Sequence, residues 1–303
     1  MKHEDVCQAL SGPIPTLRTP FDRQGGIDYA ALARMIEFDL AAGARAVVLT
    51  AGDSHYEILN DQEVGELTRF VVRQVGRRAF LVAADYRYST RHAVAFAKEC
   101  AEMGVDCLMV LPPDWRGSLT PESLAAHYAA VGEHIPVMMV TNFFKARGVA
   151  FGFQAVKATL RLTDRVVAVK DDMCEAFARH LTVLVRDRWA IWAGGRKENH
   201  LNMAVYGAHG YLSTFLTFAP QVAQQYWRAW QEHRLEDAIR IITDLDMPFF
   251  DLVIKRFQTF DVGIHAVLEL YGLAQRWRPP PYTSATDEDL EFLRAWLKEK
   301  RLL

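Results

Sequence analysis

The feature that most restricts this chain is a regular exchange of two patterns over its first two thirds. Short apolar runs, "GPIPTL", "AVVLT", "AFLVAAD", "CLMVLPP", "PVMMVTN", "VVAVKDD", "AIWAGG" and "GYLSTF", alternate with segments such as "DYAALARMIEFDLAAG" and "ESLAAHYAAVGEH", whose apolar residues recur every three or four positions. Runs of that length without polar alternation read as strands covered on both faces, and parallel strands need helical crossovers between them. Eight such units predict an α/β fold, a closed (β/α)8 TIM barrel, although a doubly wound open sheet carries the same local pattern. From about Pro220 the strand signals stop. Helical patterning continues through "QVAQQYWRAWQEH", "RLEDAIRIITDLDMPFFDLVI", "GIHAVLELYGLAQ" and "DEDLEFLRAWLKEK". The expected division is a barrel over residues 1–219, then the last barrel helix and a C-terminal helical extension over residues 220–303.

Composition narrows the partners. With a net charge of −2 and basic residues scattered along the chain, there is no electrostatic footprint for nucleic acid or an anionic membrane, so a small-molecule substrate is expected. The first twenty residues carry Lys2, His3, Glu4 and Asp5 and no long apolar block, and no later segment reaches membrane-span length, which predicts a cytoplasmic protein. Cys7, Cys100, Cys107 and Cys174 form no CxxC pair, so neither a zinc site nor a disulfide framework is expected. No cofactor is expected either.

"RVVAVKDDM" holds the most informative residue. Lys170 ends an apolar strand, where a buried lysine needs a reason. Barrel enzymes place catalytic groups at the carboxyl ends of strands, and period-two alternation puts Val166, Ala168, Lys170 and Asp172 on one face. An amine held among apolar walls loses its proton more readily, and only the neutral amine attacks a carbonyl. A Schiff-base lysine is one reading; a structural ion pair with Asp171 or Asp172 is the other.

Strand by strand, the chain resembles the dihydrodipicolinate synthase and N-acetylneuraminate lyase superfamily of class I lyases. The matching pieces are "GPIPTLRTPFDRQGGID", "AGDSHYEILNDQE", "LMVLPPDW", "VTNFFKARG", "VVAVKDD", "GYLST", "HAVLELYGL" and "RPPPYTSATDEDLEFLRAWL". The resemblance implies that Lys170 forms the Schiff base, that the barrel carries a C-terminal helical extension, and that the assembly is a homotetramer.

The chain departs from that pattern where protons are moved. Thr141, before Asn142, stands where the family has a tyrosine at the end of strand five. A hydroxyl there orients a water or a substrate hydroxyl but is a poor general acid. Trp115 stands where the family places a second tyrosine, donated across a subunit interface, and indole offers only a donor. The carboxylate-binding loop after strand two reads Ala51-Gly52-Asp53-Ser54-His55, with both threonines lost. Asp53 would repel a keto acid's carboxylate unless protonated or turned away, while the amides of Gly52 to Ser54 offer an anion nest. Two other readings have Asp53 accepting substrate hydroxyls or orienting His55 as a general base; a satisfied polar turn is the plain alternative.

Further along, Arg147 aligns with a family arginine and suits a distal carboxylate, or is a surface residue. Gly194 in "GGRKENH" lets backbone approach a ligand, with Arg196 or Lys197 offering charge, and Ser213 closes strand eight near the expected pocket. The resulting expectation is a Schiff-base lyase, a retro-aldolase or dehydratase of a 2-keto acid, with a 2-keto-3-deoxy sugar acid as the candidate class. A lysine-dependent lyase on a carbonyl compound that is not a keto acid is the alternative, and a catalytically inactive ligand-binding barrel is the third. Dihydrodipicolinate synthesis in its usual form is excluded by the missing phenols.

Overall fold

The computed structural model describes residues 2–303. Each of the eight apolar runs contains a strand: β1 (Gly12–Ile14), β2 (Ala46–Val48), β3 (Phe80–Ala84), β4 (Cys107–Val110), β5 (Val137–Val140), β6 (Val166–Asp171), β7 (Ala190–Ala193) and β8 (Gly210–Leu212). All pairings are parallel, in the order β1-β8-β7-β6-β5-β4-β3-β2. A parallel bridge between Thr16 and Val48, with the Leu17 amide donating to the Val48 carbonyl at 2.9 Å, joins the two ends of that order. The sheet is therefore a barrel, a choice that local periodicity leaves open.

A short helix, α1 (His3–Ala9), precedes β1 and has no counterpart among the expected elements. The crossovers are α2 (Tyr29–Ala41), α3 (Asp61–Val75), α4 (Thr90–Met103), α5 (Pro121–Gly132), α6 (Val149–Leu162), α7 (Glu175–Val185) and α8 (Lys197–Ala204), with α9 (Pro220–Gln231) after β8. Their starts follow from local chemistry. Asp28, Asn60, Ser89 and Thr120 each accept a hydrogen bond from a first-turn amide that has no helical partner, and at Asn60 and Thr120 the residue three positions on returns the bond.

The C-terminal segment adds α10 (Leu235–Ile241), α11 (Met247–Phe257), α12 (Phe260–Leu270) and α13 (Asp287–Glu299). Between α10 and α11 the chain makes a π-helical turn, Ile242–Asp246, just ahead of Pro248, whose missing N–H breaks the ordinary ladder. These helices share a second core, in which Phe249, Val253, Leu268, Leu293 and Leu297 pack with Phe215 and Phe218 beyond β8 and with Met35 of α2. Among the described residues, no helix is long and apolar enough to cross a membrane.

A fully buried ion pair helps tie the extension to the barrel. Lys197, at the start of α8 and 2 % exposed, bonds Asp246 of the π turn, itself 1 % exposed. Burial lowers the lysine's proton affinity while Asp246 opposes that. Removing one partner would leave a bare charge inside the protein, whereas removing both would not. Lys197→Met is expected to cost about 3–5 kcal/mol in urea unfolding, and Lys197→Met combined with Asp246→Leu to recover most of the loss.

Candidate active site

A cavity of about 220 Å³ opens at the carboxyl ends of β2 to β6. Its wall includes Gly52 and Asp53 after β2, Tyr86 and Arg87 after β3, Leu111 after β4, Asn142 after β5, and Lys170 on β6. Lys170 is 8 % exposed, pairs in register with Val140 on one side and Trp192 on the other, and stands above the buried Val166 and Ala168. Its amine lies 5.7 Å from the centre of the Trp192 ring. The strand period thus delivers a lysine to the barrel mouth.

The amine is not surrounded by apolar walls alone. Both oxygens of Asp172 meet it, at 2.7 and 2.6 Å. The two readings of this lysine are therefore compatible, because a residue in a reactive position is also one half of an ion pair. Asp171, one residue earlier, points to the opposite face, as strand alternation requires. Its carboxylate accepts from the Thr141 hydroxyl at 2.9 Å, the Cys174 amide at 3.0 Å and the Met173 amide at 3.3 Å. Burial pushes the Asp171 carboxyl above the ordinary carboxylate value. Those bonds hold a tight turn in which Cys174 adopts φ 65°, ψ −171°, a region open to glycine and costly for any other residue.

Thr141 is buried and has a different task from the one expected of it. Its hydroxyl donates to Asp171 and accepts from the amides of Asp172, at 2.9 Å, and Met173, at 3.3 Å. One proton and two lone pairs are thereby used, and nothing remains for water or substrate. It fixes the end of β6. Gly194 has a related role, since a Cβ at that position would collide with the Asp172 carboxylate.

Asp53 is neutralised by a residue that the sequence reading passed over. Arg18, 1 % exposed, bonds it at 3.3 Å and lies 3.9 Å from Asp261. Burial alone would raise the Asp53 carboxyl, but Arg18 and then Lys170 hold it below its ordinary value. The signal was present, because Arg18 follows an apolar strand run just as Lys170 does. The expected anion nest is not free: the Asp53 amide donates to the Thr50 hydroxyl at 3.0 Å and the Ser54 amide to the Thr50 carbonyl at 3.1 Å. Ser54 itself is buried, with its hydroxyl on the Leu17 carbonyl at 2.6 Å.

Three other expected residues are not among those lining the cavity. His55 is not hydrogen-bonded to Asp53; its positive φ of 59° turns the ring to His265 of α12, with the two Nε2 atoms 2.8 Å apart. Arg147 is already clamped, on Asp114 at 2.6 Å and the Leu119 carbonyl at 3.0 Å, and its guanidinium lies over the Phe151 ring. Ser213 is buried with its hydroxyl unpartnered among the described residues. A second carboxylate at the cavity also went unread. Glu57 accepts the phenols of Tyr86, at 2.9 Å, and Tyr282, at 3.0 Å.

Residues 9–300 match the dihydrodipicolinate synthetase family. The chain belongs to that family. The 4-hydroxy-tetrahydrodipicolinate synthase of Gluconobacter oxydans is 27 % identical over 294 residues, covering 96 % of this chain and 97 % of the relative. Dihydrodipicolinate synthase from Oceanobacillus iheyensis shares the fold with a TM-score of 0.85 at 21 % identity, over the whole of both chains. N-acetylneuraminate lyase from Mycoplasma synoviae does so with a TM-score of 0.82 at 17 % identity, over 97 % of this chain and 99 % of that one. Membership makes this chain a class I lyase.

The histidine pair sets a pH dependence. Burial, followed by the nearby Arg278 and Arg18, lowers His55 from its ordinary 6.5 to about 3, and burial lowers His265 well below the ordinary value. In the acidic range the unfolded chain binds protons that the folded chain refuses, so stability is full above pH 6.5 and falls as pH drops toward 3. His55 alone contributes a slope of about 1.4 kcal/mol per pH unit there. A His55→Gln protein is expected to show a shallower decline in urea-measured stability with acidification.

Proposed function

We propose that this lyase forms an iminium between Lys170 and a 2-keto acid of the 2-keto-3-deoxy sugar acid class, and that it then dehydrates the substrate or cleaves it by a retro-aldol step. The observation that carries this reading is the Lys170 amine, nearly buried yet on the wall of a cavity at the carboxyl end of β6. The iminium withdraws electrons from the adjacent carbon. Loss of a proton there gives an enamine that expels a hydroxyl one carbon further on, or cleavage of the next carbon–carbon bond gives the enamine directly, and neither route calls for a metal.

The acceptors around the cavity favour a hydroxylated substrate. Asp53, held ionised by Arg18, and Glu57, held by two phenols, suit hydroxyl groups, while Arg87 on the same wall suits a carboxylate. Gly52 and Asn142 border the same space and complete the proposed contacts. Thr141 and Trp115, standing where phenols would be needed, argue against the activity in the Gluconobacter relative's name. The ionised Asp53 also supports a second reading, a carbonyl substrate without a carboxylate next to the carbonyl.

Borohydride reduction in the presence of a panel of 2-keto acids is expected to add mass to Lys170 and to no other lysine, with Lys170→Ala inactive. Labelling elsewhere, or activity in that variant, would end the Schiff-base reading. We further propose a cytoplasmic homotetramer with Trp115, 76 % exposed on the loop after β4, at a subunit contact. Light scattering at micromolar concentration should report four chains, and Trp115→Ala should lower that number.

A further inference from the structure

We propose that Asp172 is the catalytic acid and base of this site, carrying protons to and from the Lys170 nitrogen and the oxygen that leaves as water, a task the absent phenols cannot perform. The inference rests on the Schiff-base reading of Lys170. Its basis is geometric. The two Asp172 oxygens lie 2.7 and 2.6 Å from Nζ and have no other partner among the described residues. Their side chain is 15 % exposed, beside a lysine side chain at 10 %, so the pair is shielded yet not sealed.

The carboxylate is held in place by three independent features. Strand alternation puts positions 170 and 172 on one face. The Thr141 hydroxyl grips the Asp172 amide at 2.9 Å. Gly194 at the end of β7 leaves the space that the carboxylate occupies, since a Cβ there would overlap it.

None of the other ionisable or hydroxyl groups nearby is hydrogen-bonded to the Lys170 amine; Asp85, on the same cavity wall and with its carboxyl raised by burial to about 8, accepts from the Leu111 amide through one oxygen and keeps the other without a partner among the described residues. Asp171 faces away and is bound by Thr141, Met173 and Cys174. Asp53 is bound to Arg18, the Thr141 hydroxyl has no free position, and the Tyr86 phenol donates to Glu57. The Trp192 indole beside the amine is a donor only and does not take up and return a proton. Among the described residues, Asp172 is the proton carrier in hydrogen-bonding contact with the nucleophile, and a group within about 2.6–3.2 Å of the proton it moves meets the geometric requirement for acid–base catalysis.

The protons balance through the sequence. The ammonium of Lys170 passes a proton to the Asp172 carboxylate, leaving a neutral amine and a carboxylic acid. The amine's lone pair forms the bond to the substrate's carbonyl carbon, and the carbonyl π pair moves to oxygen. Asp172 protonates that oxygen and takes a proton from the now positive nitrogen, giving a neutral carbinolamine and an acid once more. The acid then protonates the hydroxyl, the carbon–oxygen bond breaks, and water leaves as the nitrogen lone pair forms the iminium. Asp172 ends as a carboxylate beside a cation, as it began.

The test uses the full-length protein, pyruvate as probe, and borohydride quenching at successive times, read by mass spectrometry. Asp172→Asn keeps the shape and removes the proton exchange, and iminium formation is expected to slow by about 100-fold or more. Asp172→Ala leaves room for a small acid, and added formate at constant ionic strength is expected to restore its rate in proportion to formate concentration, a response that a purely structural carboxylate would not give. Iminium formation in Asp172→Asn at the parent rate, or an Asp172→Ala protein indifferent to formate, would overturn the role of Asp172 while leaving Lys170 as the nucleophile. Failure of the parent protein itself to trap pyruvate or any other 2-keto acid would instead overturn the Schiff-base reading and this inference with it.

Discussion

The closed ring of parallel backbone hydrogen bonds is the constraint on which everything else in this protein depends. Eight strands that would otherwise end in two open edges are joined where Leu17 donates to Val48, and every strand then has a neighbour on both sides. Closure brings the loops after β2 to β6 around one opening and aims the side chains of Asp53, Tyr86, Asn142 and Lys170 at a common space. In an open sheet those strand ends would lie along a line.

Within that frame the site is organised by pairing charge. Three cations near the pocket meet carboxylates, Lys170 with Asp172, Arg18 with Asp53, and Arg147 with Asp114, while Arg87 on the cavity wall has no ion pair among the described residues. Buried ions need this, because the cost of leaving water is recovered only through close partners. The same pattern explains how an acidic residue comes to sit on the cavity wall after β2. Asp53 and Arg18 together carry no net charge, so the repulsion expected from the carboxylate alone is largely cancelled. The end of β6 is likewise built as a unit, in which Thr141, Asp171 and the strained turn at Cys174 hold Asp172 against the amine.

Much of this was legible in the residues themselves. Apolar runs and helical spacing locate all eight strands and their crossovers, because backbone hydrogen bonding and burial impose periods that local sequence must match. Lys170 stood out because a charged residue closing an apolar strand has few explanations. Alternation also placed Lys170 and Asp172 on one face, and they meet. Arg18 carried a similar signal, but its meaning depended on knowing that the turn bearing Asp53 lies beside it.

Tertiary structure alone decided the rest. Ring closure comes from residues 16 and 48, whose meeting no local pattern encodes. His55 bonds a histidine 210 positions away, Glu57 holds a phenol 225 positions away, and Lys197 is matched by Asp246 in a turn whose π geometry reads as ordinary helix in the sequence. Thr141, read as a group that faces substrate, is saturated by neighbours from the next strand. The physical reason is common to all of these. Period and composition determine which face of an element is apolar, since that depends on the residues of the element itself, whereas the partner of a polar side chain depends on which distant segments the closed barrel brings within hydrogen-bonding range.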